Sequence, residues 1–229
     1  MTVTETRIGP SKGRVLPQLA RVLPRLVSWV PLGIAMVSVA AVFVWRRDTL
    51  SDPGEAMVVM RVTAVLVCLG VVFLLDDASR NMTAASALTQ RWRVGLRLVL
   101  VAVVVAAVVG VASVVVALNA NLLGFWGGYV LEVVTWVALG AAFALVLQNH
   151  FGMPEPGHVV SVALVMALVL MLALSARWPM FAVPGDSWTS SHQRWAAVGL
   201  VAVVVVIYEL RDAAARWPNL GRMAVARRR

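Results

Sequence analysis

The sequence predicts an all-α polytopic membrane protein, with six transmembrane helices preceded by an amphipathic helix that lies along the membrane surface. Three observations carry this prediction. The chain of 229 residues is 61% hydrophobic and only 14% charged, where a soluble domain carries about 25% charged residues. Its Val, Ala and Leu come in runs approaching the length of about 20 residues that a helix needs to cross a bilayer. Its arginines stand at the borders of those runs.

The same features exclude several classes of function. A formal net charge of +9 on a soluble protein points to nucleic acid. Arginines that flank apolar runs are instead explained by membrane topology, and no nucleic-acid partner is expected. The single cysteine, Cys68, lies inside an apolar run, so no disulfide framework exists and a buried, packed thiol is expected.

Residues 1–13 are polar, with Gly and Pro, and read as disordered. A short repeat follows, Arg14-Val15-Leu16-Pro17-Gln18-Leu19 and then Arg21-Val22-Leu23-Pro24-Arg25-Leu26. At about 100° per residue, its Val and Leu side chains share one helical face. Arg14, Arg21 and Arg25 fall on the opposite face, as a helix resting on an anionic membrane surface requires. Pro24 kinks such a helix. An irregular basic leader that only orients the first span is the alternative. Residues 1–26 thus form an N-terminal unit, 27–210 the membrane domain and 211–229 a basic tail.

The first apolar run covers 27–44. Ser38-Val39-Ala40 resembles a signal-peptidase site, but the run continues past it and about 25 polar residues precede it, so an uncleaved anchor is expected. Further spans are expected at 57–75, 98–118, 122 or 130 to 147, 159–176 and 195–210, the last being the shortest. Each is bounded by charge, Pro, Gly or Asn. Six spans place both termini on one side. With that arrangement, fifteen basic residues share the side of the termini and the 76–97 segment. Only Arg46, Arg47, Arg61, Arg177 and Arg194 fall on the other. The positive-inside rule then puts the termini and 76–97 in the cytoplasm of a multi-pass cell-membrane protein. Trp178, Trp188 and Trp195 read as an interfacial belt.

Catalytic chemistry finds few residues. His150, His158 and His192 all fall in expected loops, so no span offers a haem ligand. No H-E-x-x-H, no cysteine pair and no P-loop occurs. Neither a metal, a cofactor nor a catalytic residue is expected. Charge inside the spans is more informative because it is costly there. Arg61 sits in the second span and Glu132 in the fourth, and both enter from the same side, so the two are expected to approach each other. Snorkelling of Arg61 to the surface and a substrate contact at Glu132 are the alternatives. Ala102, Ala106 and Gly110, Gly124 with Gly128, and Gly140 with Ala144 have the spacing of close helix contacts.

The one substantial polar segment is 76–97, DDASRNMTAASALTQRWRVGLR. Asp76 and Asp77 can close the end of the second span, and Thr83 can cap a short helix running through Trp92. Arg91, Arg93 and Arg97 surround Trp92, a large apolar anchor among cations of the kind that interface hot spots use. A purely topogenic arginine cluster explains the same residues.

The order of several short patches resembles small actinobacterial membrane proteins described as permease subunits of ABC transporters, related to the ABC-2 exporter type. The patches are Asp76-Asp77, Thr83-Ala84-Ala85 and Arg91-Trp92-Arg93, then Glu132 and Glu155-Pro156-Gly157. Trp188, His192, Arg194-Trp195 and the exit from Arg211-Asp212 to Arg216 follow. Related chains usually carry Pro after the acidic pair and Pro-Thr in the loop, where this one has Ala78 and Leu88-Thr89. The resemblance implies a dimer, of identical or different permease chains, each bound by a cytoplasmic ATPase made as a separate chain. It implies that residues 14–26 lie on the inner surface and that 76–97, through Asp76, Asp77, Thr83, Arg91, Trp92, Arg93 and Arg97, docks on the ATPase. A non-transporting membrane scaffold and an ion-coupled carrier using Arg61 and Glu132 are the competing expectations.

Overall fold

The computed structural model describes residues 28–76, 90–119, 126–175, 177–182 and 187–215. The predicted surface helix with Arg14, Arg21 and Arg25, the loop residues Asp77 and Thr83, and the basic tail beyond 215 lie outside them. Arg91, Trp92 and Arg93 lie in a helix whose side chains are not described there.

The described residues form six α-helices and no strand. They are α1 (Val30–Arg46), α2 (Pro53–Val71), α3 (Gln90–Asn119), α4 (Trp126–His150), α5 (Gly157–Ala173) and α6 (Trp188–Ala215). Short 3-10 turns, Arg47–Thr49 and Val72–Leu75, follow α1 and α2. Five of these helical segments are long and apolar enough to cross a membrane, and α5 is apolar but shorter. The protein is therefore a helical membrane protein.

Local chemistry explains the boundaries. Pro31 stands in the first turn of α1, where its missing N–H costs nothing. The α1–α2 turn is closed by Thr49, whose hydroxyl donates to the Arg46 carbonyl. Asp52 then caps α2, accepting from the N–H groups of Gly54 at 2.7 Å and Glu55 at 3.4 Å. Arg46 reaches back to Glu55 at 3.2 Å across the same turn.

Two helices make up the interior. The apolar windows of α2 and α4 are 61% and 56% buried within the protein, against 17% for α1 and 22% for α6. Val30, Ile34 and Val37 on α1 and Leu200, Val201 and Val204 on α6 are exposed; in a membrane such faces meet lipid. α2 packs on α1, α3 and α4, while α4 makes its most extensive contact with α6. Glycines allow the closest approaches. A Cβ on Gly70 of α2 would lie 2.8 Å from the Ala35 Cβ of α1, and one on Gly140 of α4 would lie 2.8 Å from Val72 Cγ1. Cys68 is buried, and its Sγ lies 3.2 Å from the Trp136 carbonyl.

Four expectations need correction. The last span is not the shortest: α6 starts at Trp188 and runs for 28 residues, whereas α5 has 17. At 1.5 Å per residue α5 is about 25 Å long, short of the bilayer's ~30 Å apolar core. The histidines are not in loops: His150 ends α4, His158 is the second residue of α5 and His192 lies in the first turns of α6. The Ala102, Ala106 and Gly110 stripe is not a tight helix contact. It lines an apolar groove of about 500 Å³ between α3, α4 and α6, and a Cβ on Gly110 would meet nothing within 4 Å. Trp195 is no belt residue. It is fully buried between Trp136 and Phe181, at ring-centroid distances of 5.7 and 5.5 Å.

Candidate functional site

The starts of α2, α4 and α6 gather at one end of the bundle, and the 177–182 segment folds over them. Each contributes to one buried polar cluster. Glu132 projects from α4 and is 1% exposed. A lone carboxylate there is costly unless paired and fully hydrogen-bonded. Arg61 of α2 supplies the pairing: its Nε donates to Oε2 at 2.8 Å and its Nη2 to Oε1 at 2.7 Å. This two-pronged geometry suits a planar guanidinium and a planar carboxylate. Arg61 does not snorkel. Its Nη2 also donates to the Ala182 carbonyl at 2.7 Å, and its guanidinium lies 5.5 Å from the centre of the Phe181 ring.

The covering segment is held by its own main chain. Met180 offers its carbonyl to the Trp195 Nε1 at 2.7 Å and to the Ser191 hydroxyl. Pro179 offers its carbonyl to Arg194 at 2.8 Å. Beneath it, the Tyr129 hydroxyl donates to the Met60 carbonyl at 2.9 Å, joining α4 to α2.

His192 completes the cluster from α6. Its Nε2 stands 3.2 Å from Glu132 Oε1, close enough for Coulombic attraction when the ring is charged. The approach is off the hydrogen-bond axis, so that nitrogen has no hydrogen-bond partner. Its other nitrogen, Nδ1, lies 2.8 Å from the Trp188 carbonyl.

A second polar region occupies the opposite end, at the base of the 77–89 segment. Arg97, at 5% exposed, donates to the Leu75 carbonyl at 3.2 Å and to the Asp76 carbonyl. Gln148 of α4 also donates to Leu75, at 2.8 Å. Asp76 closes the end of its own helical segment through its main chain, its N–H donating to the Phe73 carbonyl at 3.3 Å. Its carboxylate accepts from the Gly157 N–H at 2.7 Å, at the start of α5, where an anion meets the positive end of a helix. Gly157 permits that approach, since a Cβ would lie 2.7 Å from Asp76 Oδ2. Burial pushes the Asp76 carboxyl up to about 6, with Glu155 adding to the push. The Gly157 N–H, His158 and Arg97 pull the other way. Arg97 is therefore turned into the protein, while Asp76 is half-buried and held to the start of α5; both frame the base of the segment.

Sequence reasoning missed one tie altogether. Glu209 of α6, 3% exposed, accepts from Asn149 Nδ2 at 2.9 Å and meets His150 Nε2 at 2.8 Å. It closes α4 on α6 through a histidine that was expected in a loop. A polar residue near the end of an apolar run, such as Glu209, reads as the run's border, and that hides its partnership.

Among the described residues no group of three His, Cys, Asp or Glu side chains is placed to hold a metal. No family model, curated protein or solved structure matches the chain.

Proposed function

We propose that this chain is the membrane-spanning permease subunit of an ABC-type exporter, driven by a cytoplasmic ATPase that is a separate chain. The reading rests on the patch order described above, and one geometric observation supports it. The base of the 77–89 segment is tied by side chains to several helices at once. Arg97 of α3 and Gln148 of α4 both hold the carbonyl of Leu75 at the end of the 3-10 turn that follows α2, and Asp76 holds the start of α5. Force applied to such a segment reaches α2, α3, α4 and α5 together. Coupling of ATP closure to alternating access needs that property. Arg91, Trp92, Arg93 and Thr83 supply the surface for the ATPase in this reading, with Asp76 and Arg97 as its footing. A second permease copy, identical or different, completes the transporter, and membrane lipid surrounds it. The termini and the segment face the cytoplasm of the cell membrane.

The test is association and sidedness together. The chain is expected to co-purify with a P-loop ATPase encoded beside it. A Thr89→Cys variant in intact cells is expected to resist a membrane-impermeant maleimide until the cells are opened. Labelling from outside removes the reading.

The buried Arg61–Glu132 pair favours one second reading, an ion-coupled carrier. That protein transports without any ATPase and stops when the ion gradient is collapsed.

A further inference from the structure

The hydrogen-bond inventory around His192 leaves one atom unexplained. A main-chain carbonyl only accepts, so the 2.8 Å contact with Trp188 fixes a hydrogen on Nδ1. The neutral ring then carries a bare lone pair on Nε2. Glu132 Oε1 stands 3.2 Å from that nitrogen, off the axis of its lone pair, and an ionised carboxylate is also only an acceptor. Two acceptors are thus held against each other in a buried place, His192 being 9% exposed. A proton on Nε2 turns that contact from repulsion into attraction.

We propose that Nε2 of His192 is a buried proton-binding site, with Glu132 as the group that accepts the bound proton's hydrogen bond. The ligand is a hydron taken from the solvent. No other bond forms or breaks, and the ring gains one positive charge.

The surroundings fit that task. Gly128 leaves the room, since a Cβ there would lie 2.5 Å from His192 Nε2. The Trp188 ring lies 4.0 Å from the imidazole, centre to centre, and an aromatic face favours a cation beside it. Among the described residues, the charged and titratable groups around the ring come from three helices and each has a defined partner. Glu132 of α4 faces it directly. Arg61 of α2 is spent on Glu132 and the Ala182 carbonyl, and Tyr129 of α4 on the Met60 carbonyl. On α6 itself, Arg194 is turned to the Pro179 carbonyl. Proton uptake therefore ties α6 to the α2–α4 pair through one carboxylate. This inference stands apart from the permease reading.

The test is a pH series of ¹⁵N spectra on the full chain, labelled at histidine, in lipid nanodiscs. The signal lost in His192→Gln identifies the residue. Nδ1 is expected to carry hydrogen throughout, and Nε2 to gain it as the pH falls. In Glu132→Gln the midpoint of that gain is expected to change, because the carboxylate beside Nε2 is gone. A neutral ring with its hydrogen on Nε2 overturns the proposal, and so does an unchanged midpoint in Glu132→Gln. Should that variant not fold, Gly128→Ala pushes the ring off Glu132 and is expected to shift the midpoint as well. No shift there overturns the proposal, and the wild-type tautomer decides independently of either variant.

Discussion

The guanidinium of Arg97 donates to the main-chain carbonyl of Leu75, 22 residues earlier in the chain. The contact ties α3 to the turn that follows α2. Removing it leaves the Leu75 carbonyl to Gln148 alone and takes the Arg97 donor from the Asp76 carbonyl. Arg97→Ala is expected to cost about 1–3 kcal/mol. Hydrogen exchange at residues 72–76 should rise, while that at 57–67 stays unchanged. Equal protection at 72–76 in both proteins would mean the clamp carries no load.

Arg61 and Glu132 behave as a unit. Breaking a buried pair by removing one partner costs about 3–5 kcal/mol, because the survivor is left as an uncompensated charge. Arg61→Leu and Glu132→Leu should each lower thermal stability by that order. The double variant is expected to recover much of the loss, since apolar replacements of both partners are tolerated. If the double loss equals the sum of the singles, the contact is not an energetic one.

Asp76 gives stability a pH dependence of defined sign. Its carboxyl rises from 3.8 to about 6 on folding, so the folded state holds the proton more tightly than the unfolded one. The stabilisation is full below pH 3.8 and is lost as the pH rises through about 6. Asp76→Asn keeps an acceptor for the Gly157 N–H and removes the titration. Melting temperatures at about pH 4 and about pH 7 should therefore fall further in the wild type than in Asp76→Asn. An identical fall in both contradicts the assignment.

Helical glycines divide into two kinds. Gly70 lies in the α1–α2 contact, where a Cβ would come 2.8 Å from Ala35 Cβ, while the Gly110 Cβ position is open. Gly70→Val is expected to destabilise by about 1–3 kcal/mol through overpacking. Gly110→Ala should be neutral or stabilise by up to about 1 kcal/mol through helix propensity. A melting comparison of the two variants checks both, and the reverse order would place the helix contact elsewhere.

The helical membrane class was legible because hydropathy in long runs reports it directly. Arg61 and Glu132 were legible as neighbours for a related reason. Each is an isolated charge in an apolar run, and lipid leaves such a charge few alternatives to a partner. What escaped were residues at run ends. His192 follows Thr-Ser-Ser and precedes Gln-Arg, a stretch that reads as loop. It is helical because 177–182 folds back over it and supplies carbonyls to Ser191 and Trp195. The same fold-back turns Trp195 from an expected surface anchor into a core residue. Glu209 was hidden because its partners, Asn149 and His150, lie 60 and 59 residues away, and no local pattern links them.

The most direct test of the central claim measures ATP hydrolysis by the partner ATPase in a reconstituted complex with this chain. Arg91 and Arg93 are reversed together to Glu, with Arg97 kept so that the base of the segment stays clamped. The proposed coupling predicts loss of association and of the hydrolysis that the membrane chain stimulates, with the helices still folded. Intact association and unchanged hydrolysis would contradict it.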